Sequence, residues 1–229
     1  MIASFHIAEV GKLTAAKLLA RQPRPETCPG LHYAVLTTTA PLSERLLPRP
    51  NLGRVALMAA WQDERALERF LAEDRLAATL AGGWRVRLQP THVFGEWPPL
   101  AGLVQEPVAM DPEEPAAALT IARLRLTQGR RFLAAGAAAE RLVVADPELL
   151  QGTGLARPPG LVATFSLWRT VRAMRAYAGG VSGSEHRAAV KAHAERPFHH
   201  ASAFIRFRPY GCEGSWDGAD PMSGSPASS

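Results

Sequence analysis

Cysteine is nearly absent from this chain of 229 residues: Cys28 and Cys212 are the only two, in turn-like segments and without metal-motif spacing. A disulfide scaffold is unneeded at this size, and C-x-x-C redox or zinc-ribbon chemistry has no basis. No apolar run approaches the roughly 20 residues of a membrane span. The start, MIASFHIAEVGKL, has neither the basic n-region nor the long apolar core of a signal peptide, so a cytoplasmic protein is expected. G-x-G-x-x-G, the P-loop, H-E-x-x-H and the nucleophile elbow are all missing. Nicotinamide, nucleotide, zinc-peptidase and serine-hydrolase chemistry therefore lack support.

Lysine is scarce and arginine abundant, with a formal net charge of +5. The basic residues are dispersed: Arg65, Arg69 and Arg75 alternate with Glu64, Glu68, Glu73 and Asp74. That mixing describes a solvated helix face and not a phosphate track, so no nucleic-acid partner is expected.

What is present is a repeated pattern. Strand-like runs at 2–9, 31–39, 54–61 and 84–97 flank helical patterns at 11–21 and 62–80, giving β-α-β-β-α-β, the ferredoxin-like split unit. Residues 98–115, proline-containing and acidic at the end, read as a linker. The pattern then restarts with a strand at 117–126, a helix at 127–142, a weak strand at 147–155 and a strand at 161–168. Val55, Ala56, Trp61, Ala66, Leu67 and Phe70 match Val162, Ala163, Trp168, Ala173, Met174 and Tyr177, every pair 107 apart (168 − 61). A direct duplication is the simplest source of such a match. The expected fold class is α+β: two ferredoxin-like repeats packed as a dimeric-type α/β barrel within one chain. The divisions are 1–97, the linker 98–115, 116–210, and a Gly/Ser/Pro-rich flexible tail 211–229 in which Trp216 alone should dock. The oligomeric state stays open, because the duplication already supplies the partner half.

The chemistry is placed in residues 161–208. After the strand, Val171, Met174, Tyr177 and Ala178 share one helical face, and Gly179-Gly180 end that helix. Ser182 to Glu185 reads as a capping box opening a second helix with His186 on its first turn. By itself such a histidine is ordinarily a surface or capping residue. Along the strand, Val162, Thr164, Ser166 and Trp168 share one face, and Leu161, Ala163, Phe165 and Leu167 the other. The second set, wholly apolar, is assigned to helix packing. Thr164 and Ser166 replace Leu57 and Ala59 of the first repeat, so they line either a cavity or an ordinary barrel interior. Arg206, in phase with Phe204, is a candidate for an anionic group, a distal oxygen or plain solvent. A zinc cluster of His186, His193, His199 and His200 is disfavoured: His186 and His193 lie about 10 Å apart along a helix.

These residues carry a resemblance. Thr164 to Trp168 (TFSLW), Ala173 to Ala178 (AMRAYA), His186 to Val190 (HRAAV) and the closing Phe204 to Phe207 (FIRF), with looser matches at LHYAVL, Pro48 to Asn51 and Trp61, resemble the spheroidene monooxygenase family. Those are haem proteins of the dimeric α/β barrel class. The resemblance implies haem b as cofactor, with iron held by His186 and Trp168, Tyr177 and Phe204 flanking it. It also implies an apolar small-molecule substrate and an electron donor, and the polar strand positions Thr164, Ser166 and Arg206 are the candidates for the catalytic part. The expected function is a haem-dependent monooxygenase. The alternatives are a dehydratase acting on an N–O bond (aldoxime dehydratase-like), or a haem-free barrel serving as a binding protein or cofactor-independent monooxygenase. Where the family's first-half strand carries a lysine and then glycines, this chain has Ala34 and Thr37-Thr38-Thr39, which points to a different substrate.

Overall fold

Strands dominate because the chain offers short runs in which both faces are apolar. β1 (Ile2–Glu9) buries six successive residues. Ala3, Phe5 and Ile7 look one way; Ser4, His6 and Ala8 look the other. The computed structural model describes residues 1–42, 49–124, 146–178 and 199–223. In chain order after β1 come α1 (Lys12–Ala20), β2 (Leu31–Pro41), β3 (Asn51–Trp61), α2 (Glu64–Glu73), α3 (Arg75–Leu80) and β4 (Trp84–Glu96). The second half supplies β5 (Ala116–Leu124), β6 (Leu149–Arg157), β7 (Leu161–Trp168), α4 (Val171–Ala178) and β8 (His199–Gly214). The expected helices at 127–142 and around His186 lie outside the described residues.

The strands close into one antiparallel barrel in the order β1-β3-β2-β6-β7-β5-β8-β4. Each repeat contributes the ferredoxin-like order, and the two are stitched edge to edge at β4–β8 and β2–β6. Closure removes every free sheet edge. The α+β duplicated barrel read from the sequence is therefore the observed architecture.

The barrel interior is filled, not hollow. Phe5 and Phe165 stack across it with centroids 3.8 Å apart and planes 8° apart. Ala56, Met58, Leu88, Leu119, Leu167, Ile205 and Phe207 pack around them. Trp216 plugs one end, 4% exposed, against Phe5 and Trp84. β8 continues through Gly214, past the boundary drawn at residue 210, because Glu213 and Gly214 pair with the start of β4.

This packing reverses one sequence assignment. Phe165 and Leu167 face the barrel, and Ser166 and Trp168 face α4. In a closed barrel the driest surface is the interior, so the wholly apolar set belongs there and the helices take the more polar face. The helix at 62–80 is also two helices. Asp74 is extended (φ −88°, ψ 134°) and its carboxylate accepts from the Leu76 amide at 2.7 Å, ending α2 and capping α3.

The linker is packed. Leu100 and Leu103 join the barrel core, and Met110 lies against Trp168. Its acidic end is paired, Glu113 with Arg172 and Glu114 with Arg208. Cys28 and Cys212 are both free thiols.

Candidate functional site on the helix side of the second half

Two rows of side chains cross the outer face of the second half-sheet. The register sets His92 opposite Arg206, Arg206 opposite Ala118, Ala118 opposite Ser166 and Ser166 opposite Gly152. Two residues along, Phe94, Phe204, Thr120, Thr164 and Gly154 align in the same way. The middle of this face is floored by glycine, alanine and threonine, and one end carries the aromatics and cations. The matching face of the first half is filled instead by Leu57, Ala59, Trp61, Leu67 and Phe70, each no more than 4% exposed. Along this face of the strand the duplication has diverged at two positions, Thr164 for Leu57 and Ser166 for Ala59, while Trp168 stays buried with Met174 of α4 as Trp61 is with Leu67 of α2.

A bulge sets the cationic end. The β4–β8 register shifts between Pro90 and His92, with Thr91 as the extra residue. Thr91 is fully buried, and its hydroxyl donates to the Arg206 carbonyl at 3.1 Å. Without that insertion His92 would fall on the barrel side; with it, His92 stands beside Arg206. The His92 and Phe94 rings are parallel within 9° at 5.8 Å. The Arg206 guanidinium lies 4.7 Å from the Phe94 centroid and 5.6 Å from that of Phe204. Its Nε is buried without a hydrogen-bond partner. Burial first, and then the neighbouring Arg175 charge, lower the Arg206 pKa. Burial, then Arg206 and Arg175, lower that of His92.

The other sequence-assigned residues fall into two groups. Thr164 is half-buried on the small-residue floor, and its hydroxyl has no hydrogen-bond partner among the described residues. Phe204 is half-buried beside it, in the same row. Ser166, by contrast, accepts a 2.9 Å hydrogen bond from Trp168 Nε1. Trp168 is wholly buried and stacks on Tyr177 at 5.3 Å. The first repeat does the same with other residues: Trp61 Nε1 donates to Ser4 at 2.9 Å, and Trp61 packs on Phe70 at 4.8 Å. Ser166 and Trp168 thus have a structural task that the sequence pattern did not reveal. Ser166→Ala strands a buried N–H and is expected to lower stability by about 1–3 kcal/mol. Thr164→Val should change it by less than about 0.5 kcal/mol. Urea denaturation of both variants measures the contrast, and equal stabilities would show that the Trp168 hydrogen bond carries no weight.

His186 and His193 lie outside the described residues, and His199 and His200 open β8. Among the described residues no three His, Cys, Asp or Glu side chains gather to hold a metal ion. No described helix is long and apolar enough to cross a membrane. Sequence reasoning overlooked His92. Its signal was the spacing His92-x-Phe94 against Phe204-x-Arg206, aromatic and cation two apart on both strands, hidden by the bulge.

The residues departing from the family pattern have local explanations. Thr37 Oγ donates to the Ala56 carbonyl and Thr38 Oγ to that of Ala156, so both tie β2 to its neighbours. Thr39 lines a cleft of about 390 Å³ at the β2–β6 seam, with Asn51, Arg54, Gln151 and Thr153 among its polar walls. Arg54 there is already paired with Glu9 and Asp217.

Comparison with known proteins gives the relatives. The chain is 34% identical over 175 residues to spheroidene monooxygenase of Rubrivivax gelatinosus, covering 74% of this chain and 66% of that one. With the Rhodobacter capsulatus enzyme of the same name it shares 31% identity over 186 residues, 79% of this chain and 76% of the relative. The chain belongs to the spheroidene monooxygenase family. The Cereibacter sphaeroides relative is 29% identical over 180 residues, and the match spans 76% of this chain and just over half (55%) of that one. No family model matches the chain. Among solved structures, an anthrone oxidase-like protein superposes with a TM-score of 0.36 at 11% identity, covering 95% of this chain and 94% of that one. Likeness at that level carries no argument about fold or reaction.

Proposed function

We propose that the protein is a haem-dependent monooxygenase acting on an apolar small molecule, with His186 as the iron ligand. The reading is supported by family membership, since the relatives are named as monooxygenases of spheroidene. The observation that carries it to a place is the divergence between the repeats. Where the first half has Leu57 the second has Thr164, whose hydroxyl has no partner among the described residues, and on the same face Arg206 keeps a buried Nε without an acceptor.

That face fits haem chemically. Gly154 presents no side chain beside Thr164, so a planar ring can approach the sheet there, whereas Gly152 lies under Leu42 and Ala118 is buried. Phe204 and Phe94 offer apolar contact, and Arg206 is a cation in want of an anion. Bound haem would supply the iron at which dioxygen is activated, with electrons drawn from an external donor. The chain's own part is to bind and orient. The Thr164 hydroxyl is free to donate a hydrogen bond to a polar atom held above it. His186, on the first turn of its expected helix, would present one ring nitrogen while the other is held by a carbonyl or carboxylate.

Absorption spectroscopy tests this. Protein purified from cells given excess haem should show a Soret band. His186→Ala should lose it, and added imidazole should restore it in part by filling the vacated space. His193→Ala should retain it. No Soret band in the unaltered protein, or full retention in His186→Ala, would overturn the reading of haem ligation. Turnover that persists without dioxygen would replace the monooxygenase by a dehydratase.

A further inference from the structure

Several arginines of this structure are ion-paired. Arg54, Arg85, Arg87, Arg172 and Arg208 each reach a carboxylate. Arg208 shows how completely: its guanidinium donates to both Glu114 carboxylate oxygens, to Gln89 Oε1 and to the Ala109 carbonyl. Two residues away on the same strand face, Arg206 has no carboxylate partner among the described residues, and its buried Nε donates to nothing. Its guanidinium lies over the faces of Phe94 and Phe204, the His92 ring stands opposite it across the strand pair, and the one charge among the described residues that acts on it, Arg175, is itself basic. Arg85 Nε and Trp97 Nε1 are also buried without a partner, but Arg206 alone of the three combines that orphaned donor with a guanidinium that reaches no carboxylate and stands on an aromatic shelf, so an anion placed there would complete it.

We propose that Arg206 and His92 form a carboxylate-binding subsite, in which an anionic oxygen settles between the Arg206 guanidinium and the His92 ring against the Phe94–Phe204 shelf. The geometry selects a carboxylate on an apolar body. The guanidinium fork offers paired N–H donors matched to two coplanar oxygens, and the adjacent aromatics desolvate whatever carries them. The bulge at Thr91 exists at this spot and delivers His92 to the pair. The carboxylate can come from a side group of haem or from a free ligand. The haem arm of the test rests on the function proposed above; the free-carboxylate arm does not.

In the free-carboxylate arm, benzoate and its neutral isostere benzamide are titrated into the protein while the His92 ring signals are followed by NMR, assigned with His92→Gln. Benzoate should move them saturably, and benzamide should not. Arg206→Met should weaken benzoate binding by about tenfold or more, the loss of one charge-assisted bidentate contact. Arg175→Gln, at an exposed helix position where misfolding is no concern, should weaken it by about threefold. In the haem arm, tryptophan quenching by ferric haem is compared with quenching by its dimethyl ester. Tighter binding of the free acid in the unaltered protein, abolished in Arg206→Met, assigns the subsite to haem carboxylates. A benzoate response without that discrimination, or without haem binding at all, leaves the subsite standing for a free carboxylate and removes the haem reading instead. No response to benzoate together with equal binding of haem and its ester overturns the proposal.

Discussion

Replacing Phe165 with alanine is expected to lower the stability of the protein by about 3–5 kcal/mol. The side chain is wholly buried at the centre of the barrel and lies flat on Phe5 at 3.8 Å. Its position explains the size of the effect. Eight strands closed on themselves cannot collapse onto a void as an open sheet can, so much of the deleted volume stays a cavity. Trp216, 6.5 Å from Phe165 and 6.0 Å from Phe5, would also lose part of its seat. Urea unfolding of Phe5→Ala, Phe165→Ala and the double variant gives the coupling, expected at about 0.5–1.5 kcal/mol for a stacked pair beyond area burial. A loss below about 1 kcal/mol in Phe165→Ala would mean that the barrel is not the core of the folded state.

The second large effect is acid destabilisation through His6. This ring is buried beneath α2, with Phe70 edge-on at 6.0 Å, and its Nε2 lies 3.0 Å from the Ser4 hydroxyl that also accepts from Trp61. The Ser4 hydroxyl thus joins the Trp61 indole to the His6 ring within the buried layer under α2. Burial, then the charge of Arg85, lower the His6 pKa to about 3. The unfolded chain, with an ordinary histidine pKa of about 6.5, binds more protons between that value and 3, so stability falls as pH falls through this window. The loss from this group amounts to about 3 kcal/mol by pH 4. It is absent above pH 7, where both states are neutral. Urea midpoints at pH 7, 5.5 and 4 should drop steeply in the unaltered protein and less steeply in His6→Gln, the difference isolating His6 from the carboxylates. Parallel slopes would show that His6 is not held neutral in the folded state.

Much of this was legible before any coordinates. The 107-residue offset joining Trp61 to Trp168 and Phe70 to Tyr177 is a repeat of side-chain contacts as well as letters, because each tryptophan packs on the aromatic of the helix that follows. Thr164 and Ser166 were singled out by alternation, Phe204 by the family resemblance and Arg206 by its phase with Phe204, and the four do share one sheet face. What alternation could not supply was which side of the sheet that is. A strand buried on both faces reads the same whichever face meets the helix. Nor could it show that Ser166 is engaged by the Trp168 indole, since a partner two residues away on the same strand leaves no mark in the pattern.

The sequence by itself determined the elements, their duplication and the polar change in the second half, because those follow from local periodicity and from comparing one half with the other. The tertiary structure decided the rest through closure and register. Closing the barrel made its interior the driest place available, which sent Phe165 inward and Thr164 toward the helices. One inserted residue, Thr91, moved His92 from the barrel side to the side of Arg206. Register across strands more than a hundred residues apart is set by backbone hydrogen bonds and side-chain packing summed over the whole sheet, and no window of the sequence contains that sum.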